Sequence, residues 1–300
     1  MNHAIKSVIL YSLFSILYSG QAHAAEVSLG ITPPTIVIQT AAPAIIEKPI
    51  RIQNKTDQTV TLGINFEPFT QSISNNGKVS YILDDDSDFG TQPEIFEKVH
   101  ILEAGQAVKT ITLSPKQEKE LTLSLTLPED QFNQDYYFSI LFVSKDITTP
   151  IATLNQKDYI RAYSHLEAVI GLHVLLSIYS RDKQPEGFID AYSAQAYMVQ
   201  SGPVPFTLRF RNTGSYLLTP QGIILIKNMF GQTVGRVTIP KTNVLAKTTR
   251  DIPILWTEEF LFGPYTAELM LTIPDTSISF KRSVSFVCIP LGAVGSIIGF

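Results

Sequence analysis

The feature that most constrains this chain is a period of two. In "LTLSLTLP", Leu121, Leu123, Leu125 and Leu127 alternate with Thr122, Ser124 and Thr126. "YTAELMLTI" sets Tyr265, Ala267, Leu269, Leu271 and Ile273 on one side, and "FTLRFRN" does the same with Phe206, Leu208 and Phe210. "PIRIQN" alternates Ile50 and Ile52 with Arg51 and Gln53. Successive side chains of a strand point to opposite faces, so each segment buries one face and wets the other, as antiparallel sheets do. Long amphipathic helical patterns are missing. Short strands parted by Pro, Gly, Asn and Asp predict an all-β chain built of β-sandwiches.

A length of 300 residues suggests about two domains. An internal echo supports that. "PIRIQNKTDQTVTLGINF" runs strand, polar turn at Asn54, strand, and "PFTLRFRNTGSYLLTPQGIILI" repeats the plan at Asn212. Later in each half comes a polar turn, a strand, a Tyr-containing turn and another strand. Two tandem immunoglobulin-like sandwiches of one topology are expected, at residues 25–181 and 182–283, with "RDKQPEGF" as the linker.

The turns carry the sharpest local motif. Asn tolerates left-handed backbone and can hydrogen-bond its own turn. Thr213-Gly214 continues the turn, Gly accepting positive φ without steric cost, and Pro220-Gln221-Gly222 restarts a strand. Met229-Phe230-Gly231-Gln232 is read as a hairpin turn.

Both ends are apolar. Residues 1–24 have a basic start at Lys6, an apolar run from Ser7 to Ser19 and the small-x-small triplet Ala22-His23-Ala24, the layout of a cleaved secretory signal peptide. An exported protein of the cell surface or envelope is expected. Residues 284–300 follow the last charge, Arg282. They are expected to be an apolar tail that starts a membrane helix, somewhat short of the roughly 20 residues a span needs; the competing reading is a last strand, Val284 to Ile289.

Little in the sequence points to chemistry. The net charge of −4 argues against a nucleic-acid binder. A single cysteine, Cys288, excludes an intramolecular disulfide and a paired-cysteine zinc site. Asp84, Asp85, Asp86 and Asp88 lack the spacing of a calcium loop. His165 and His173 would stand ~26 Å apart on one strand, too far to share a metal, and His100 stands alone. Trp256 ends an alternating strand and is expected to pack in a core or interface. With no nucleophile elbow, zinc-protease motif or phosphate loop, no catalytic residue, metal or cofactor is expected.

The order of these segments, "ITPPTIVIQ", "IQNKTDQTVTLGINFEPF", "LSLTLPED…YYFSILFV", then "VPFTLRFRNTGSYLLTPQGIILIKNMFGQTVGRV" and an apolar C-terminus, resembles the WxL-interacting type of bacterial cell-surface protein. The resemblance implies a peptidoglycan-binding immunoglobulin-like domain, a host-binding one and a membrane anchor. The partner would be a cell-wall polymer or surface protein. Asn212, Thr213, Gly214, Pro220, Gln221 and Gly222 carry it, and they are framework features. The first half also resembles the N-terminal sandwich of periplasmic pilus chaperones, which hold a subunit's C-terminus with a basic pair in the inter-domain cleft. Their strand-borne Arg falls at Thr35 or Ile36 here. That second resemblance implies an assembly chaperone acting by strand complementation.

Overall fold

A computed structural model describes residues 28–72, 74–82, 93–131, 134–144, 148–150, 163–165, 169–179, 185–274 and 276–290. The expected leader, the acidic run Asp84–Asp88 and the end of the apolar tail, residues 291–300, lie outside the described residues.

The described chain forms two β-sandwiches. In the first, one sheet has the order β1 (Leu29–Thr32), β3 (Ala44–Asn54), β9 (Glu118–Leu127), β6 (Val99–Glu103) and β7 (Gln106–Ala107). The facing sheet has the order β2 (Thr35–Thr40), β13 (Val169–Ile178), β10 (Asp135–Ser144) and β4 (Val60–Gln71), with β5 (Val79–Tyr81) and β8 (Thr110–Leu113) both pairing with β4. A single turn of helix, α1 (Pro93–Phe96), precedes β6, and β11 (Thr148–Pro150) pairs with β12 (Tyr163–His165) as a separate ribbon.

The second sandwich sets β14 (Gly187–Ala194), β16 (Val204–Asn212) and β19 (Thr249–Trp256) against a larger sheet. That sheet has the order β15 (Met198–Val199), β21 (Ser279–Cys288), β20 (Gly263–Thr272), β17 (Gln221–Asn228) and β18 (Thr233–Ile239). The two halves share a topology. In each, the opening strand starts in one sheet (β1, β14). Its continuation crosses to the other sheet and pairs parallel with the last strand, β2 with β13 and β15 with β21. The pairs β10–β13, β10–β4 and β3–β9 match β20–β21, β17–β20 and β16–β19.

The period-two residues build the cores. Ile50, Ile52, Leu121, Leu123, Leu125 and Leu127 all lie in the first core, with Phe138 and Phe142 from β10. Phe206, Leu208, Phe210, Leu269 and Leu271 lie in the second, with Trp256 and Phe286. A fully buried side chain of this size stabilises by roughly 1.5–3 kcal/mol relative to exposure. Trp256 packs edge-on against Tyr265 and Phe286, which is the core role expected of it.

The two Asn corners work differently from the sequence expectation. Asn54 and Asn212 both end strands, and neither has positive φ; the left-handed residues of the corners are Lys116 and Lys247, across from them. Each Asn acts through its side chain instead. The Asn54 amide donates to the carbonyls of Gln58 (2.7 Å), Leu113 (3.3 Å) and Ser114 (3.0 Å). The Asn212 amide donates to those of Tyr216 (2.7 Å), Val244 (3.0 Å) and Leu245 (3.0 Å). Backbone bonds complete each corner, from Lys116 N–H to the Thr56 carbonyl and from Lys247 N–H to the Gly214 carbonyl. Both Asn side chains are buried. Gly214 also lacks positive φ. Its N–H and that of Thr213 donate to the Glu186 carbonyl just before β14. Gly222 is required for another reason: a Cβ there would fall 2.1 Å from the Met270 carbonyl oxygen of β20.

The C-terminal expectation is corrected as well. Val284 to Cys288 complete strand β21, paired with β20 from Cys288↔Gly263 to Ser279↔Thr272, so the second sandwich runs past residue 283. Phe286 and Cys288 are fully buried. These side chains alternate into a core, which a helix could not arrange. Among the described residues no helix is long and apolar enough to cross a membrane.

Replacing Asn212 by Ala would leave buried carbonyls without donors, each costing about 1–3 kcal/mol. Asn212→Ala is therefore expected to lower stability by about 3 kcal/mol or more in urea unfolding. Asn228→Ala, in the half-exposed β17–β18 turn, should cost below about 1 kcal/mol. Equal losses from the two would sink the corner argument.

Candidate functional site

The two sandwiches meet through a small apolar cluster of Phe69, Leu175, Leu217 and Leu245, with Val79 and Tyr137 packed against it. Polar bonds surround it. The Thr248 hydroxyl donates to Gln71 Oε1 at 3.0 Å, and Gln71 Nε2 donates to the Thr249 carbonyl. Asp251 N–H donates to the Asn75 carbonyl at 2.8 Å, and Ala246 N–H to the Tyr137 hydroxyl at 3.0 Å. Tyr137 donates in turn to Asp135, which also accepts from the Ser177 hydroxyl and from Leu217 N–H across the boundary. Burial first, then the Asp135 charge, pushes the Tyr137 phenol far above its ordinary range. It stays protonated and serves as a fixed donor.

Beside this seam lies an open cleft of about 290 Å³. Its first-domain wall is Thr35, His173 and Leu175, its floor includes Phe69, and Lys78, Lys241 and Arg250 line it with positive charge. Among the described residues none of these three cations has an ion-pair partner. The Arg250 guanidinium is half-buried, and burial lowers its pKa. It lies against Gly77, where a Cβ would fall 2.1 Å from the guanidinium carbon. The guanidinium could shift to make room, but Gly77 also has φ of 80°, and that left-handed backbone favours glycine at this hairpin. An unpaired cation in a partly desolvated cleft favours an anionic group, since charge-assisted bonds are worth more there.

Thr35 pairs in register with His173, and it faces the cleft while Ile36 is buried in the core. The strand position discussed for a pilus-chaperone Arg therefore does reach the cleft, but carries Thr. The cations come from elsewhere: Lys78 from the β4–β5 hairpin, Lys241 and Arg250 from the second sandwich.

The strand that walls the cleft also has a free edge. β2 pairs with β13 only from His173 to Ile178. From Val169 to Leu172, β13 pairs with β10 on one side, and no described strand pairs on the other. His173 N–H donates toward the β2 side, to the Pro34 carbonyl. By the two-residue alternation, the backbone groups of Gly171 and Val169 point to that same open side. The matching edge in the second sandwich, Ser279–Phe286 of β21, carries exposed Lys281 and Arg282. Charged residues are a common guard on open edges. Val169-Ile170-Gly171-Leu172 has no charge, and Val169 is half exposed.

Of the residues the sequence singled out, Asn212, Thr213 and Gly214 stand near the domain seam, and Pro220, Gln221 and Gly222 open β17 nearby. Asn54 is at the other end of β3–β4, far from the cleft, since β4 begins beside its corner and reaches the cleft at Gln71. These residues position the cleft's walls and do not line it. His100 is exposed, and His173 lines the cleft. Lys78, Lys241 and Arg250 were missed. They are lone cations far apart in sequence, and nothing local marks them.

His173 is held by Ser139, whose hydroxyl lies 2.9 Å from Nδ1, and packs edge-on to Phe69 at 5.0 Å. Burial lowers its pKa from the ordinary 6.5. The folded state therefore binds fewer protons than the unfolded one. Stability is full above pH 6.5 and falls as pH drops below it. His173→Gln should flatten that slope in urea unfolding followed from neutral to mildly acid pH; an unchanged slope would show that His173 is not its source.

No family model matches the chain, and no curated protein matches it. Among solved structures it is similar to the class 5 fimbriae chaperone CfaA, at 10% identity and TM-score 0.37, covering 88% of this chain and 100% of that one. It is similar to the CsuC–CsuE chaperone–tip adhesion subunit pre-assembly complex of Acinetobacter baumannii, at 8% identity and TM-score 0.36, covering 85% and 97%. The E. coli chaperone DraB matches at 12% identity and TM-score 0.35, covering 85% and 96%. At these scores the likeness carries no argument about what this chain does.

Proposed function

We propose that this chain is a non-catalytic exported protein that holds another exported protein by strand addition along β13, as an assembly chaperone does. The observation that carries the reading is the uncharged open edge at Val169–Leu172, continuous with a cleft that presents three cations with no ion-pair partner among the described residues. An extended partner segment laid on that edge would bond the outward backbone groups of Val169 and Gly171. Its chain end, a carboxylate, would reach Arg250, Lys78 and Lys241. Strand addition needs no catalytic group, and the fold supplies its two requirements, an edge and an anchor.

The competing reading comes from the WxL-interacting resemblance: a cell-surface protein, held at the membrane by its C-terminal segment, that binds a wall polymer. One experiment separates them. A photoreactive residue placed at Val169 is crosslinked in cells, and the product is identified. The expected product is an exported protein joined through an extended segment, and a peptide of that segment should bind the purified chain. Val169→Lys should weaken that peptide roughly tenfold or more by charging the edge. Arg250→Gln should abolish the preference for a free over an amidated C-terminus. Crosslinks to wall polymer, with binding indifferent to Val169→Lys, would favour the polymer reading.

A further inference from the structure

The end of the second sandwich farthest from the cleft presents a set of large apolar side chains that no described residue covers. Phe230 (78% exposed) and Met229 sit on the β17–β18 turn, Phe260 (89%) and Phe262 (75%) on the β19–β20 loop, and Tyr197 and Met198 at β15. Pairing brings them to one end. Met198 stands opposite Val287, Gly263 opposite Cys288, and Tyr265 opposite both Phe286 and Asn228. Gly202 N–H donates to the Glu259 carbonyl, tying the β15–β16 connection to the same loop. Met229 Sδ lies 3.8 Å from the Cβ position of Gly263.

We infer that this tip is a docking surface for the neutral interface of a lipid bilayer. Three observations choose lipid over other occupants. The side chains stand on separate turns and are 59–89% exposed, so each can enter an apolar layer without the others moving. Tyr197 and the three Phe rings are of the kinds found at bilayer interfaces. And the chain leaves β21 at this same end, bonded through Ile289 N–H to the Val199 carbonyl. The sequence that continues there, "IPLGAVGSIIGF", is uncharged. The turns of the tip carry no Lys or Arg; Glu258 and Glu259 lie in the β19–β20 loop, and Lys227, just before the β17–β18 turn, is ion-paired with Glu268 at 2.8 Å. The tip thus has no net positive charge to draw it to anionic headgroups. The cleft and the β13 edge lie away from the tip and stay open to a partner. The inference stands independently of the strand-addition reading.

The test is flotation of the purified chain with phosphatidylcholine vesicles, with and without phosphatidylglycerol. The wild type should float with neutral vesicles and gain nothing from anionic lipid. The triple variant Phe230→Ser, Phe260→Ser, Phe262→Ser should lose roughly tenfold or more in partitioning, with its circular dichroism unchanged. Trp256, the single tryptophan, packs beneath the tip against Tyr265, and brominated lipid should quench it in the wild type only. Four outcomes would overturn the inference. They are no flotation, flotation that survives the triple substitution, binding that needs anionic lipid, and a concentration-dependent dimer that the triple variant dissociates.

Discussion

Each sandwich depends on one buried amide. At the Asn54 and Asn212 corners three backbone carbonyls converge where no strand can supply donors. A side-chain NH₂ has two hydrogens, shared here among three acceptors. Without it the chain would have to bring water into the core or open the corner. The corner joins the end of one strand (β3, β16) to the start of another in the facing sheet (β4, β17), so it fixes how the two layers close. The apolar cores supply the gross stabilisation, but they are non-directional. The amide gives the corner one geometry.

The seam between the domains relies on a related device. Asp135 collects a phenol, a hydroxyl and a backbone N–H from across the boundary. Tyr137 carries that arrangement to Ala246. The neighbouring Phe69, Leu175, Leu217 and Leu245 pack as an apolar cluster beside it. Lys241 and Arg250, from the second sandwich, are thereby placed beside β13 of the first.

The fold was legible because strand alternation is a local signal. Leu121 to Leu127 and Phe206 to Phe210 bury the side their spacing indicates. The repeat was legible too, through two Asn residues, although the reason was different: their amides matter, and their backbone is ordinary strand. The tail misled because an uncharged apolar run reads alike for a membrane helix and for a core strand. Only the pairing of Val284–Cys288 with β20 decides between them. The cleft was not legible. Lys78, Lys241 and Arg250 meet only after two domains fold and pack.

The parallel pairing of each half's crossing strand with its last strand leaves that last strand covered along only part of its length. Two copies of one design therefore inherit the same uncovered seam. In the second copy exposed Lys281 and Arg282 stand on it; in the first, the run Val169–Leu172 carries no charge. A duplicated scaffold can divide labour in this way, with one half keeping the molecule dispersed while the other remains incomplete until something finishes it.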